Sequence, residues 1–262
     1  MILRAIACDL LACLRFYSRL PLPVFAFEAE PHAMLDFARA IRVLPLAGVL
    51  IAIPAAAVLL GCVAIGLAPQ ITAGLVLVAS VLTTGAFHED GLADAADGFG
   101  GGSTRERKLE IMRDSRIGSY GGVALVLSLL LRWSALVTLL SSGALAAALV
   151  WVALAGATRT AALLPLVLLP PARRDGAAYA ADRPKPGSYV LACAIAGVLL
   201  LLPFFGGLHL GLSLAAMIVI ALASLAVTAL SKRQISGQTG DVAGAAQQAS
   251  EILGLIAFGL HP

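Results

Sequence analysis

Charge is scarce in this chain. Only 13% of its 262 residues are Asp, Glu, Lys or Arg, about half the share in a soluble globular domain. The shortage excludes an ordinary water-soluble fold, because too few charged groups remain to cover a surface. The formal net charge is +3, and no nucleic-acid partner is expected from so small an excess. Cys8, Cys13, Cys62 and Cys193 form no CxxC pair and no zinc-type spacing, so they read as small, reduced apolar residues. A signal peptide is not expected, since Arg15 and Arg19 interrupt the first apolar stretch and no clear small-residue cleavage site follows. There is no internal repeat and no low-complexity linker, which leaves residues 1–262 as one domain.

What fills the chain is apolar. Hydrophobic residues make up 60% and the mean hydropathy is +0.95, which places the protein in a membrane. Seven membrane-length runs are marked by apolar content: residues 43–68, 70–87, 121–140, 144–169, 189–205, 210–230 and 242–260. Pro45 and Pro54 should bend the first, and the Ala68-Pro69-Gln70 turn should fold the first two into a hairpin. Arg4, Arg15 and Arg19 project onto one face of residues 1–20, which reads as an amphipathic helix in the interface plane, ended by Pro21 and Pro23. The expected fold is therefore an all-α, polytopic membrane helix bundle. It has about seven transmembrane helices plus the N-terminal interfacial helix.

The few charges sit in alternate connections. Sixteen of the eighteen Lys and Arg lie in residues 1–42, 88–120, 171–188 and 231–241, the other two being Arg132 and Arg159. The connections near Pro69, Ser141–Gly143 and Gly206–His209, and the tail His261-Pro262, have none. The positive-inside rule puts the four charged segments in the cytoplasm and the C-terminus outside. Fourteen of fifteen acidic residues share those segments, the exception being Glu251. A transporter needs polar groups near the bilayer midplane and access from both sides, so this distribution favours chemistry at the inner surface.

Four charged elements could carry that chemistry. In His88-Glu89-Asp90-Gly91-Leu92-Ala93-Asp94-Ala95-Ala96-Asp97-Gly98, the spacing puts Asp90, Asp94 and Asp97 within one narrow arc of a helix. Three carboxylates so placed repel one another unless a cation lies between them, and such hard oxygen donors suit Mg²⁺ or Mn²⁺. The plainer reading is a solvated acidic helix end, and His88 alone is more often structural than catalytic. Arg113-Asp114-Ser115-Arg116-Ile117-Gly118-Ser119-Tyr120-Gly121-Gly122 offers guanidinium donors and a glycine-rich helix start to phosphate oxygens. It reads also as a positive-inside anchor. In Ser236-Gly237-Gln238-Thr239-Gly240-Asp241, Asp241 completes a metal shell or holds a hydroxyl, while Thr239 or Asp241 equally makes a helix N-cap. The loop from Arg173-Arg174-Asp175-Gly176 to Asp182-Arg183-Pro184-Lys185-Pro186-Gly187 closes over an anion or is a plain connection.

Inside the bilayer, Arg132, Arg159 and Glu251 are costly unless paired or hydrated. Gln247, Gln248 and Glu251 give the last run a polar face. A structural ion pair is the favoured reading for Arg132 and Glu251, whereas Arg159 faces the bundle interior.

The stretch His88–Gly98, the stretch Glu110–Gly121 and the triplet Thr239-Gly240-Asp241 together resemble the cobalamin synthase family, the adenosylcobinamide-GDP ribazoletransferases. Weaker agreement runs from Arg19-Leu20-Pro21 and Leu44-Pro45-Leu46 to Arg173–Gly176, so it spans nearly the whole chain. Two positions depart: Arg113 stands where Lys is common, and Ser236 precedes Gly237 where Gly-Gly is expected. Neither removes a metal ligand. The resemblance implies an enzyme of the bacterial inner membrane, with its active face in the cytoplasm, that joins adenosylcobinamide-GDP to α-ribazole or its 5′-phosphate and releases GMP. It implies Mg²⁺ as cofactor, held by Asp90, Asp94 and Asp97 with Asp241. Asp90, Asp94, Asp97 or His88 would act in catalysis, in a catalytic loop spanning 88–120. Substrate would meet Arg113, Asp114, Ser115, Arg116, Arg159 and Thr239. Membrane lipid and other corrin-assembly enzymes are expected neighbours. Two rivals stand beside this reading: a CDP-alcohol-type lipid phosphotransferase, whose aspartate spacing fits poorly, and a non-enzymatic corrinoid transporter or scaffold.

Overall fold

A computed structural model describes residues 2–28, 30, 35–174 and 183–260. Among them there is no β-strand, only one parallel bridge between Pro171 and Gln238. The helices are α1 (Ile2–Tyr17), α2 (Leu44–Ala64), α3 (Pro69–Thr84), α4 (Phe87–Gly101), α5 (Arg105–Ile111) and α6 (Ser119–Leu140). They continue with α7 (Ala144–Ala161), the short α8 (Leu164–Leu168), α9 (Pro186–Leu199), α10 (Leu210–Ile235) and α11 (Gly240–Phe258). This is the all-helical bundle that the apolar runs call for.

Five stretches are long and apolar enough to cross a membrane: Ala40–Ala64, Ser119–Leu140, Ala144–Leu168, Pro186–Gly206 and Leu210–Ile235. A sixth results if α3 and α4 count as one bent span. Two of the seven expected runs differ for identifiable reasons. The second breaks early, because Gly85 (φ 67°) and Ala86 (φ 58°) both adopt the left-handed conformation. As a result α4 leaves α3 at 89°. The seventh, α11, carries Asp241, Gln247, Gln248 and Glu251, and its face is buried against protein rather than apolar.

Packing follows from small side chains, since lipid gives helices no hydrophobic reason to associate. The α2–α3 hairpin forms as the Pro69 turn requires. A Cβ on Gly48 would lie 2.5 Å from the Ala155 carbonyl oxygen, and one on Gly156 would lie 2.6 Å from that of Pro45, so α2 and α7 touch backbone to backbone. The alanine-rich α7 is the most enclosed of the candidate spans. The N-terminal helix ends a turn before Leu20 and packs its Cys13, Leu14 and Tyr17 against Ile41 and Leu44. Asp9, 2% exposed, accepts hydrogen bonds from Arg39 (2.7 Å) and Arg42 (2.9 Å), which fixes α1 to the start of α2.

Arg132, expected to be paired, is 1% exposed and bridges Glu89 of α4 (2.8 Å) and Glu251 of α11 (2.7 Å). Its Nη1 also donates to Gln248 Oε1, which accepts from Ser128. Gln247 Nε2 donates to Glu251 and to Thr158 Oγ1 of α7. One buried polar chain thereby links α4, α6, α7 and α11. Two guanidinium bonds to two carboxylates satisfy a charge that lipid could not.

Candidate active site

The charged connections meet at one end of the bundle. Gln238 N–H donates to the Pro170 carbonyl (2.9 Å) and Ala172 N–H to the Gln238 carbonyl (2.8 Å), joining the 170–174 strip to the α10–α11 turn. Gly237 permits this, because a Cβ there would lie 2.7 Å from the Pro170 oxygen. Arg105 of α5 donates to the carbonyls of Ile235 and Ala172, and Lys108 to Gln234, so α5 ties the same strip from the other side. Arg173 thereby reaches Asp241, 3.4 Å away.

Thr239 is the N-cap of α11. Its Oγ1 accepts from Val242 N–H (3.3 Å) and donates to Asp241 Oδ2 (3.0 Å), holding that carboxylate beside Arg173. Helix α4 crosses α11 here through glycine. A Cβ on Gly91 would lie 3.1 Å from the Asp241 carbonyl oxygen and from Gly244 Cα.

The aspartates of α4 divide into two kinds. Asp97 is buried, and its two oxygens accept Gly118 N–H (2.7 Å) and Gly121 N–H (2.8 Å) at the start of α6. It thus occupies orphan donors of a helix N-terminus, where negative charge is favoured. Gly118 and Gly121 make room, since a Cβ at either would lie within 2.5 Å of that carboxylate. Asp90 is exposed and Asp94 half-buried. Burial first, then the charges of Asp90, Asp241 and Asp97, push the Asp94 carboxyl up to about 7, with Arg173 opposing. Burial likewise raises Asp241, against the pull of Arg173 and the Thr239 bond.

This crowding tests the site for a cation. The donors are hard oxygens, and the carboxylates that raise one another outnumber Arg173, the cation acting on both Asp94 and Asp241. Their type and charge fit Mg²⁺. Among the described residues no three His, Cys, Asp or Glu stand close enough to hold a metal as they are, so a shell requires side-chain rotation.

The other expected residues fall in different places. Arg113, Ser115 and Arg116 are exposed between α5 and α6, and Arg116 Nε donates to Asp114 Oδ1 (2.9 Å). That pairing holds the Asp114 carboxyl down at about 2. Arg159 is buried in α7 and donates to the Ala155 carbonyl (2.9 Å), in the field of Glu251 and Glu89. His88 lies roughly 160° around α4 from Asp90. It is 3% exposed, stacks on Tyr17 at 5.9 Å and lines a small cavity with Phe16, Phe37 and Phe87. Asp175, Gly176 and Asp182 of the fourth charged element lie outside the described residues. Sequence reasoning gave Arg173 only a weak place and missed Arg105. Neither has a local signal, because both act through contacts made at the α10–α11 turn.

Comparison with known proteins shows the family to which the chain belongs. The family model described as Cobalamin-5-phosphate synthase matches residues 9–259. An adenosylcobinamide-GDP ribazoletransferase of Azorhizobium caulinodans is 49% identical over 94% of this chain and 93% of its own length. A protein of the same name from Xanthobacter autotrophicus is 48% identical over 100% and 99%. One from Mesorhizobium japonicum is 46% identical over 97% and 93%. No solved structure matches.

Proposed function

The chain belongs to the cobalamin-5-phosphate synthase family, and we propose that its charged face joins adenosylcobinamide-GDP to α-ribazole or α-ribazole 5′-phosphate. It is a transferase of cobalamin biosynthesis. The acceptor 3′-hydroxyl attacks the β-phosphorus of the donor, and a new P–O bond forms. The bridging P–O bond to the guanosine phosphate breaks, GMP leaves, and adenosylcobalamin or its 5′-phosphate is formed.

The observation that carries this reading is the crowding of Asp90, Asp94 and Asp241 beside Arg173. Transfer at phosphorus depends on positioning and on positive charge around the diphosphate rather than on protein nucleophiles. Asp90, Asp94 and Asp241 would hold Mg²⁺, which when bound supplies that charge to the diphosphate oxygens. Asp97 fixes the start of α6, and with it the exposed Arg113, Ser115 and Arg116, which bind the phosphates; Asp114 orients Arg116. Thr239 sets the Asp241 carboxylate. A carboxylate of α4 accepts the hydroxyl proton, since His88 faces the aromatic cavity on the other side of the helix. Arg159 acts from beneath, as fixed positive charge.

The protein is a multi-pass protein of the bacterial inner membrane with this face in the cytoplasm, where positive-inside bias places sixteen of its eighteen Lys and Arg. The test is turnover by the full-length protein in lipid bilayers, supplied with adenosylcobinamide-GDP and α-ribazole 5′-phosphate. GMP and a cobalamin product in equal amounts, stopped by a chelator and restored by Mg²⁺, support the reading. Corrinoid binding with no product, or product formed on a lipid alcohol instead, overturns it.

A further inference from the structure

On the side of the bundle away from α4, helices α9 and α10 stand apart as two walls over a floor made by α7. The cleft between them has a volume of about 420 Å³. Its floor is Ala157 and Ala161, and its walls include Gly197 of α9 and Ala221 of α10. Between Tyr189 and Leu200, both on its lining, the cleft follows α9 for roughly 16 Å. Both walls belong to candidate membrane spans. Leu225, on the α10 wall, is exposed, so the cleft opens outward. The three hydroxyls in the lining are already used: Thr160 donates to the Gly156 carbonyl (2.9 Å), Ser224 donates to that of Ala161 (2.6 Å), and Tyr189 pairs with the Cys193 thiol. Nothing in the cleft asks for a polar ligand.

One end of the cleft is basic. Lys185 stands one turn before Tyr189, whose N–H donates to the Lys185 carbonyl (3.0 Å). On the opposite wall, Lys232 follows the lining residue Leu225 by seven residues, so it lies on the same face of α10, about 10 Å nearer the charged end. Both lysines are exposed. An alkyl-shaped cleft at bilayer depth, with an ammonium on each wall at its charged end, matches one molecule: a phospholipid with an acyl chain between the helices and an anionic headgroup between the lysines.

We propose that the α7–α9–α10 cleft is a specific binding site for one anionic phospholipid of the surrounding membrane. The site is independent of the transfer reaction, and its lipid wedges α9 and α10 apart.

The test uses the full-length protein in nanodiscs of mixed phosphatidylglycerol and phosphatidylcholine, with retained lipid counted by native mass spectrometry. Wild-type protein should retain one phosphatidylglycerol in preference to phosphatidylcholine. Lys185→Gln and Lys232→Gln should each lower that preference about fivefold. Gly197→Phe should abolish the retained lipid, because a Cβ at Gly197 meets nothing within 4 Å and the added ring enters the cleft. Retention of lipid at wild-type stoichiometry by Gly197→Phe overturns the proposal. So does an unchanged headgroup preference in the double lysine variant, which changes only exposed side chains and so keeps the test open if the phenylalanine variant fails to fold.

Discussion

Gly91 of α4 and Gly244 of α11 meet backbone to backbone: a Cβ on Gly244 would lie 3.0 Å from Gly91 Cα and 3.2 Å from the His88 carbonyl oxygen. That contact sets how near the α4 carboxylates come to Asp241. Gly91→Ala or Gly244→Ala forces the helices apart and costs about 1–3 kcal/mol of stability. Because the separation acts on the site itself, activity should fall further than thermal stability. Melting curves and turnover measured on the same samples check this, and full turnover in both variants would contradict it.

Asp90 and Asp97 should separate in their effects. Asp97→Ala leaves the Gly118 and Gly121 N–H groups without their carboxylate and removes about 1–3 kcal/mol of stability. Gly118→Ala and Gly121→Ala should mimic it by displacing the same carboxylate. Asp90→Asn, at an exposed position, should leave the melting temperature unchanged and remove turnover. Thermal denaturation of the four variants, read beside their rates, separates the helix-seating role of Asp97 from the metal-holding role proposed for Asp90.

Arg132 is held by two carboxylates on two other helices. Arg132→Met leaves Glu89 and Glu251 buried without their partner and should cost about 3–5 kcal/mol. The triple variant Arg132→Met, Glu89→Gln, Glu251→Gln removes all three charges and should recover most of that loss. Equal destabilisation in the single and triple variants would contradict the ion-pair account.

The folded Asp94 carboxyl lies at about 7, above the unfolded 3.8, so the folded protein binds the extra proton. Its stabilising effect is complete below the unfolded value and is lost as the pH rises through about 7. In chelator, the melting temperature of wild type should therefore fall between about pH 5 and about pH 8. Asp94→Asn should flatten that slope, and Mg²⁺ at the upper pH should restore wild type but not the variant.

Much of this was legible in the chain. The apolar runs mark the helices because lipid demands continuous apolar length, and alternation of charged connections foretells which helix ends meet. The Asp90-Asp94-Asp97 spacing marks a shared face, and Thr239 is the cap its type suggests. What a linear pattern does not carry is the use made of each group. Asp97 looks like its two neighbours in sequence, yet the start of α6 occupies it. Gly85-Ala86 turns a straight run into a right-angle bend through two backbone conformations. Arg173 reaches Asp241 only because Gln238 pairs with Pro170 and Ala172, a contact across more than sixty residues.

The most direct measurement of the central claim is Mg²⁺-dependent release of GMP from adenosylcobinamide-GDP by wild type and by Asp94→Asn, with α-ribazole 5′-phosphate as acceptor and the protein in lipid bilayers. The account predicts Mg²⁺-dependent release by wild type and loss of at least about a hundredfold in the variant, the size expected when electrostatic stabilisation at phosphorus is removed. Near-wild-type release by a folded Asp94→Asn protein would contradict it, and the carboxylate cluster would then have no part in the transfer.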